Sequence, residues 1–239
     1  MSGGEATERL WAIVPAAGRG TRAGGDLPKQ YQPLHGLTMI EHSLRALASH
    51  PRIAGLVVVL ARDDAHWPGW SALEGKPVRT ATGGAERADS VLAGLEALPD
   101  EVGELQSVLV HDAARPCLSH RDLDALIDCN APQGALLAVP LADTLKRAGD
   151  DGCVDATVPR QRLWRALTPQ RFARGALARA LHDAARAGVT VTDEAMAMER
   201  IGLRPALVEG SADNLKVTTP RDFSLAEFLL VQRAMEPCA

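Results

Sequence analysis

Short apolar runs rich in Val, Ile and Leu alternate along this chain with longer stretches whose apolar residues recur at helical spacing. That alternation limits the possible folds more than any other feature. Residues 10–14 read as a strand, followed by a glycine-rich stretch through Gly25. Residues 38–50 read as a helix with Ile40, Leu44 and Leu47 on one face. Residues 56–60 are apolar throughout, as expected of a strand covered on both sides. Further strands are expected at 78–81, 107–111, 135–139 and 206–209, and further helices at about 86–98, 119–130, 171–187, 193–200 and 220–235. Ser119 and Thr192 are the expected N-caps of two helices, and Gly188 is the expected stop of another. Strands alternating with helices predict an α/β fold, a mostly parallel sheet covered on both faces.

The 239 residues, 46% of them apolar, suffice for one large domain, and no repeat, linker or low-complexity segment divides them. A single domain over 1–239 is therefore expected. Residues 141–168 fit it poorly. They are rich in Asp, Arg and Thr, lack a clean period, and end near Pro159 and Pro169. A long charged segment of this kind is usually functional or packed against another chain.

Charge and aromatic content exclude some partners. The formal net charge is −4, so there is no global basic field for nucleic acid, and eight aromatic residues make a poor stacking platform. No apolar run approaches the roughly 20 residues of a membrane span, and the polar opening MSGGEATERL is no signal peptide. A cytoplasmic protein is the expectation. Cys117, Cys129, Cys153 and Cys238 form no Cys-x-x-Cys pair and are expected to be buried, inert thiols.

The strongest local signal is the run from Val14 through Gly18, Gly20, Arg22 and Ala23 to Gly25, directly after the first strand. In an open α/β sheet, ligands bind beyond the carboxyl ends of strands. Small residues there let backbone N–H groups close on an anion and cradle phosphate. Gly18, Gly20 and Ala23 formally satisfy a dinucleotide fingerprint. However, Pro28 stands where the helix should run, and no acidic residue ends a second strand about 20 residues on. Arg22 and Lys29 flank the loop with two cations, which suits a polyphosphate whose charge shifts during reaction.

Three more segments carry chemistry. Residues 83–90, with Gly83, Gly84, Arg87 and Ser90, open a helix at the same sheet edge. Asp112 follows the fourth strand, well placed to hold a divalent cation near phosphates, and Arg115 nearby can neutralise an anion. His111, a lone histidine, is expected to pack. Thr144 and Arg160 in the irregular stretch, and the run 213–218 before the last helix, suit a second anion subsite.

Together these segments resemble the 2-C-methyl-D-erythritol 4-phosphate cytidylyltransferase family. The resemblance runs in order from about Trp11 to Phe228. It is carried by Pro15-Ala16-Ala17-Gly18-x-Gly20, Pro28-Lys29-Gln30-Tyr31, Gly84 through Arg87 to Ser90-Val91, and His111-Asp112-Ala113-Ala114-Arg115-Pro116. It continues through Asp143-Thr144-Leu145-Lys146, Leu163 to Gln170, Thr192-Asp193-Glu194-Ala195, and Asp213-Asn214-Leu215-Lys216-Val217-Thr218. Departures fall at Ala23, where a bulkier residue is expected, and at Pro159 and Arg162 around Arg160.

The resemblance implies a Rossmann-like nucleotidyltransferase fold with a protruding arm at about 141–168 that clasps a second subunit in a homodimer. It implies that Ala16, Ala17, Gly18, Gly20, Gly84, Arg87 and Ser90 hold CTP, and that Arg22 and Lys29 stabilise the transition state. Asp112 would bind Mg²⁺. Arg160 and Lys216 would position methylerythritol phosphate, helped by Arg115, Thr144, Thr192 and Asp213. The residue inventory agrees, because a phosphate monoester is already an anion and needs positioning and charge neutralisation, not a general base. The competing readings are a cytidylyltransferase for another polyol phosphate such as ribitol 5-phosphate, a silent nucleotide-binding subunit, and a dinucleotide oxidoreductase. Lys29, Asp112 and Lys216, converging from separate segments, exceed what binding alone requires.

Overall fold

A computed structural model describes residues 9–18 and 27–235. Gly20 and Arg22 lie outside the described residues. The first elements are β1 (Leu10–Pro15), a two-residue ribbon of β2 (Pro33–Leu34) and β3 (Leu37–Thr38), α1 (Met39–Ala48) and β4 (Ile53–Leu60). Then come β5 (Ala72–Leu73), β6 (Lys76–Thr82), α2 (Arg87–Glu96), β7 (Ser107–Val110), α3 (His120–Asp128) and β8 (Ala135–Pro140). The chain continues through β9 (Leu145–Ala148), β10 (Val154–Val158), β11 (Trp164–Ala173), α4 (Arg174–Arg186), α5 (Glu194–Arg200), β12 (Ala206–Glu209) and α6 (Pro220–Met235).

Eight strands form the main sheet in the order β12-β8-β11-β7-β1-β4-β6-β5. β1 runs parallel to β4 and β7, β4 to β6, and β8 to β12, while β11 is antiparallel to both β7 and β8. The sheet is mostly parallel, as expected. Alternation along β1 divides the core. Leu10, Ala12 and Val14 pack with Ile40, Leu44 and Leu47 of α1 and Leu123 and Leu126 of α3. Trp11 and Ile13 pack on the other side with Val91 and Leu95 of α2 and Leu177 and Leu181 of α4. Gly94 lets α2 approach this closely, because a Cβ there would stand 2.4 Å from Ile13 Cγ2. Thr38 and Ser119 cap α1 and α3 by accepting from the backbone N–H groups of Glu41 and Asp122.

Four expectations are corrected. The helix expected at 171–187 begins only at Arg174, because 164–173 pair as a strand with β7 and β8. Tertiary pairing overrides the helical preference of an Ala- and Arg-rich stretch. The segment 141–168 is not aperiodic throughout, since β9 and β10 pair there as an antiparallel hairpin. Asp193, not Thr192, caps α5, accepting from the Met196 N–H at 2.9 Å. A carboxylate is the stronger acceptor at a helix N-terminus, and Thr192 turns its hydroxyl to Met196 Sδ instead. Cys117 is buried, but Cys129 is half-buried and Cys153, in the turn that joins β9 to β10, is exposed.

Candidate active site

Strand order reverses at β1. The chain moves outward through β4 and β6, then returns to place β7 on the other flank of β1. Ligands bind beyond the carboxyl ends of strands at such a switch point. A cavity of about 240 Å³ lies there, lined from several segments. Ala16, Ala17 and Gly18 directly follow β1; Gly84 precedes α2, and Arg87 and Ser90 lie in its first turn; Asp112 follows β7; Lys29 lies between β1 and β2, and Lys216 between β12 and α6. Nine of the expected site residues thus meet in one place.

Local structure explains the cradle. Ala16 N–H donates to Val59 at 2.8 Å and Gly83 N–H to Leu60 at 2.8 Å, so the strand ladder persists to the rim. Gln30 Nε2 donates to the Ala16 carbonyl at 2.9 Å and holds the loop from below. A Cβ on Gly83 would lie 2.5 Å from Ala17 Cβ and 2.7 Å from Ser90 Oγ, so only glycine lets the two walls meet. Lys29, in a short 3₁₀ turn of Lys29–Tyr31, reaches across to donate to the Val217 carbonyl at 2.6 Å.

Asp112 is the electrostatic centre. Its Oδ2 stands 2.9 Å from Lys216 Nζ, and its Oδ1 lies 3.0 Å from Arg87 Nη2 and accepts from Arg87 Nε at 3.1 Å. Burial alone would raise the carboxyl, but Arg87 and Lys216 outweigh it and hold it well below the usual range. Asp112 is therefore a carboxylate at neutral pH. Arg87 also grips Glu194, with Nη2 at 3.1 Å from Oε2 and Nη1 hydrogen-bonded to Oε1. Burial drives the Glu194 carboxyl upward, and Arg87 opposes that shift.

A hydrogen-bond chain fixes the Asp112 backbone. The Arg115 carbonyl can only accept, so the His111 Nε2 lying 3.1 Å from it carries the proton. Nδ1 then accepts from the Thr168 hydroxyl at 3.0 Å, and Thr168 Oγ1 accepts the Asp112 N–H at 3.0 Å. His111 packs as expected, fully buried and pushed down to about 4 by that burial, hence neutral.

The remaining expected residues sit elsewhere. Arg115 is buried behind Asp112, its Nη1 donating to the Asn214 carbonyl at 2.8 Å and its Nε 3.7 Å from Asp112 Oδ2. Thr144 and Arg160 are exposed on the strand-flanking parts of the hairpin arm, and Thr192 and Asp213 are exposed before α5 and α6. None of these five lines the cavity. Sequence reasoning left out Gln30, Thr168, Asn214 and Glu194 as site residues, although all four stand within the motif words. Asn214, whose Nδ2 donates to the Thr168 carbonyl at 2.7 Å, ties the Lys216 segment to β11.

A mostly parallel sheet with a glycine-lined cradle at its switch point, where Lys29 joins Arg87 and Lys216 paired on one carboxylate, defines a nucleotidyltransferase. The family model for 2-C-methyl-D-erythritol 4-phosphate cytidylyltransferase matches residues 10–232, and the chain belongs to that family. It is similar to the enzyme of that description from Stenotrophomonas maltophilia, 62% identical over 227 residues that cover 94% of this chain and 98% of the relative. It is also similar to the one from Xanthomonas euvesicatoria pv. vesicatoria, 61% identical over 231 residues covering 96% and 88%. A crystal structure of a 4-diphosphocytidyl-2C-methyl-D-erythritol synthase superposes with a TM-score of 0.78 at 38% identity, covering 93% of this chain and 99% of that one.

Proposed function

We infer that the chain transfers CMP from CTP to 2-C-methyl-D-erythritol 4-phosphate, giving 4-diphosphocytidyl-2-C-methyl-D-erythritol and pyrophosphate in isoprenoid precursor biosynthesis. The family membership supplies the reaction, and one observation carries its chemistry. Lys29, Arg87 and Lys216 converge on the glycine-lined cradle with Asp112 between two of them.

In the mechanism, the phosphate of methylerythritol phosphate attacks the α-phosphorus of CTP and the bond to the β-phosphate oxygen breaks as pyrophosphate leaves. The nucleophile arrives as an anion, so no side chain has to take a proton from it. Ala16, Ala17, Gly18, Gly84 and Ser90 hold the nucleotide, with Arg87 at the side, and Gly20, outside the described residues, shares that role. Lys29 and Arg22 neutralise charge that develops on the triphosphate. Lys216, set by Asp112, and Arg160 orient the attacking phosphate, helped by Arg115, Thr144, Thr192 and Asp213.

The donor set fits magnesium. Among the described residues no three His, Cys, Asp or Glu gather into a metal cage, whereas Asp112 offers one ionised carboxylate at the cavity. Magnesium characteristically takes one or two carboxylates and completes its shell with phosphates and water. Asp112 would hold it, and the ion would supply positive charge to the triphosphate.

The enzyme acts as a homodimer in the cytoplasm, where its nucleotide substrate is found. The exposed hairpin of β9 and β10 supports the dimer, since it carries Arg160 just beyond β10 and away from its own cavity lining. Among the described residues no helix is long and apolar enough to cross a membrane. The test is pyrophosphate release from CTP with Mg²⁺, using methylerythritol phosphate and ribitol 5-phosphate in parallel. Turnover only with the former is expected. Preference for ribitol 5-phosphate would move the substrate, and binding of CTP without turnover of either would make this a silent subunit.

A further inference from the structure

Four side chains form an unbroken line through the floor of the site. Glu194 pairs with Arg87, Arg87 with Asp112, and Asp112 with Lys216. The first member is remote from the cavity, for Glu194 is 1% exposed and does not line it. Its position is nevertheless rigidly set. It is the first residue of α5, whose next residue, Ala195, donates its N–H to Gln170 Oε1 at 2.8 Å, while Gln170 Nε2 donates to Asp193 at 2.9 Å. Gln170 itself pairs within the main sheet, opposite Val110 of β7. The backbone beside Glu194 is thus anchored to β11, the strand that pairs with β7, which precedes Asp112.

Charge explains why a second carboxylate is needed. Arg87, Arg115 and Lys216 surround Asp112 with three cations, and one carboxylate cannot satisfy all of them. Arg87 spends its Nη1 and Nη2 on Glu194 and its Nε and Nη2 on Asp112, so its planar fork is held edge-on between them. Without Glu194, the guanidinium loses its inner partner and becomes free to swing toward the anionic ligand in the cavity. Asp112 then loses the group that fixes one of its oxygens, and the Lys216 ammonium loses its alignment.

We propose that Glu194 is a positioning residue of the transfer reaction, acting through Arg87 to orient Asp112 and, beyond it, Lys216. The proposal rests on the cytidylyltransferase reading. Because Glu194 does not touch the cavity, its loss should slow turnover without weakening nucleotide binding.

The experiment uses the full chain, with CTP binding followed by calorimetry and turnover by pyrophosphate release. Glu194→Gln keeps the shape and removes the charge. We expect kcat to fall fivefold or more while the Kd for CTP stays within twofold of wild type or tightens. A smaller loss of kcat, or a Kd weakened more than twofold, would overturn the assignment. Arg87→Gln and the double variant Arg87→Gln/Glu194→Gln supply a second arm, in which the double variant leaves no lone buried charge. With the route through Arg87 already cut, adding Glu194→Gln should change kcat less than twofold, and any larger further loss shows that Glu194 acts by another route. A wild-type chain that binds CTP but turns over neither substrate would sink the activity and this assignment together. Normal wild-type turnover with an unaffected Glu194→Gln sinks the assignment alone.

Discussion

Lys29 and Lys216 are joined through one backbone carbonyl: Lys29 Nζ donates at 2.6 Å to Val217, the residue after Lys216. The short turn of Lys29–Tyr31 and the segment that precedes α6 are therefore tied together beside the cavity, although 188 positions separate the bonded residues. Both lysines line the cavity, and Lys216 is set on Asp112 at 2.9 Å.

Lys29→Ala is expected to lower kcat by about 10²–10³-fold, roughly 3–4 kcal/mol of transition-state stabilisation, with little change in CTP affinity. Steady-state kinetics alongside calorimetry check the split. Near-normal turnover would remove Lys29 from the role given to it. Arg22→Ala, outside the described residues, carries the same expectation.

Asp112→Asn is expected to raise the Mg²⁺ concentration for half-maximal activity about tenfold or more, the scale on which weakened metal coordination acts. A magnesium titration at saturating CTP measures it. An unchanged midpoint would place the ion on another group. Substitution also leaves Lys216 and Arg87 without the anion between them, so kcat at saturating metal should stay below wild type.

His111 makes stability depend on pH. Burial holds it near 4 in the folded chain against an ordinary value of 6.5, so the unfolded chain binds the proton more tightly. Stability is therefore full above about pH 6.5 and is lost as pH falls toward 4, by about 3 kcal/mol for this group. Urea unfolding at pH 7 and pH 4.5 is the measurement. His111→Gln, which cannot take up the proton, should lose about 2 kcal/mol less than wild type over that interval, and equal losses would contradict the linkage.

Much of this was legible in the sequence, and the misses share physical causes. β1, β4 and β7 are continuous apolar runs because both faces are covered, and that pattern is hard to mistake. The hairpin of β9 and β10 escaped because Lys146, Arg147, Asp155 and Thr157 leave it no buried face to set a period. β11 escaped because its identity lies in its partners, β7 and β8, and not in its own residues. Asp112 stood out as a charge at a strand end, Lys29 as a cation flanking the glycine loop, and Lys216 within a polar run before the last helix. Glu194 and Thr168 did not, since only the fold brings residues 107 and 56 positions apart into contact with Arg87 and Asp112.

Assembly is tested by subunit mixing. Lys29→Ala and Arg160→Ala homodimers should each be nearly inactive. If the arm completes the partner's site, a mixed dimer holds intact Lys29 and Arg160 together at one of its two sites. Random mixing makes about half the dimers mixed, so roughly a quarter of all sites should recover. No recovery after unfolding, mixing and refolding would mean that Arg160 serves its own subunit.

That the site supplies position and charge, with no nucleophile of its own, is tested most directly at the α-phosphorus. CTP carrying sulfur in place of one α-phosphate oxygen, as a single diastereomer, is turned over with methylerythritol phosphate and the product's configuration is read by phosphorus NMR. One in-line displacement inverts the centre, and inversion is the expected result. Retention would require a covalent CMP–enzyme intermediate and two displacements, and would contradict a site built from Lys29, Arg87, Asp112 and Lys216 acting as fixed charges.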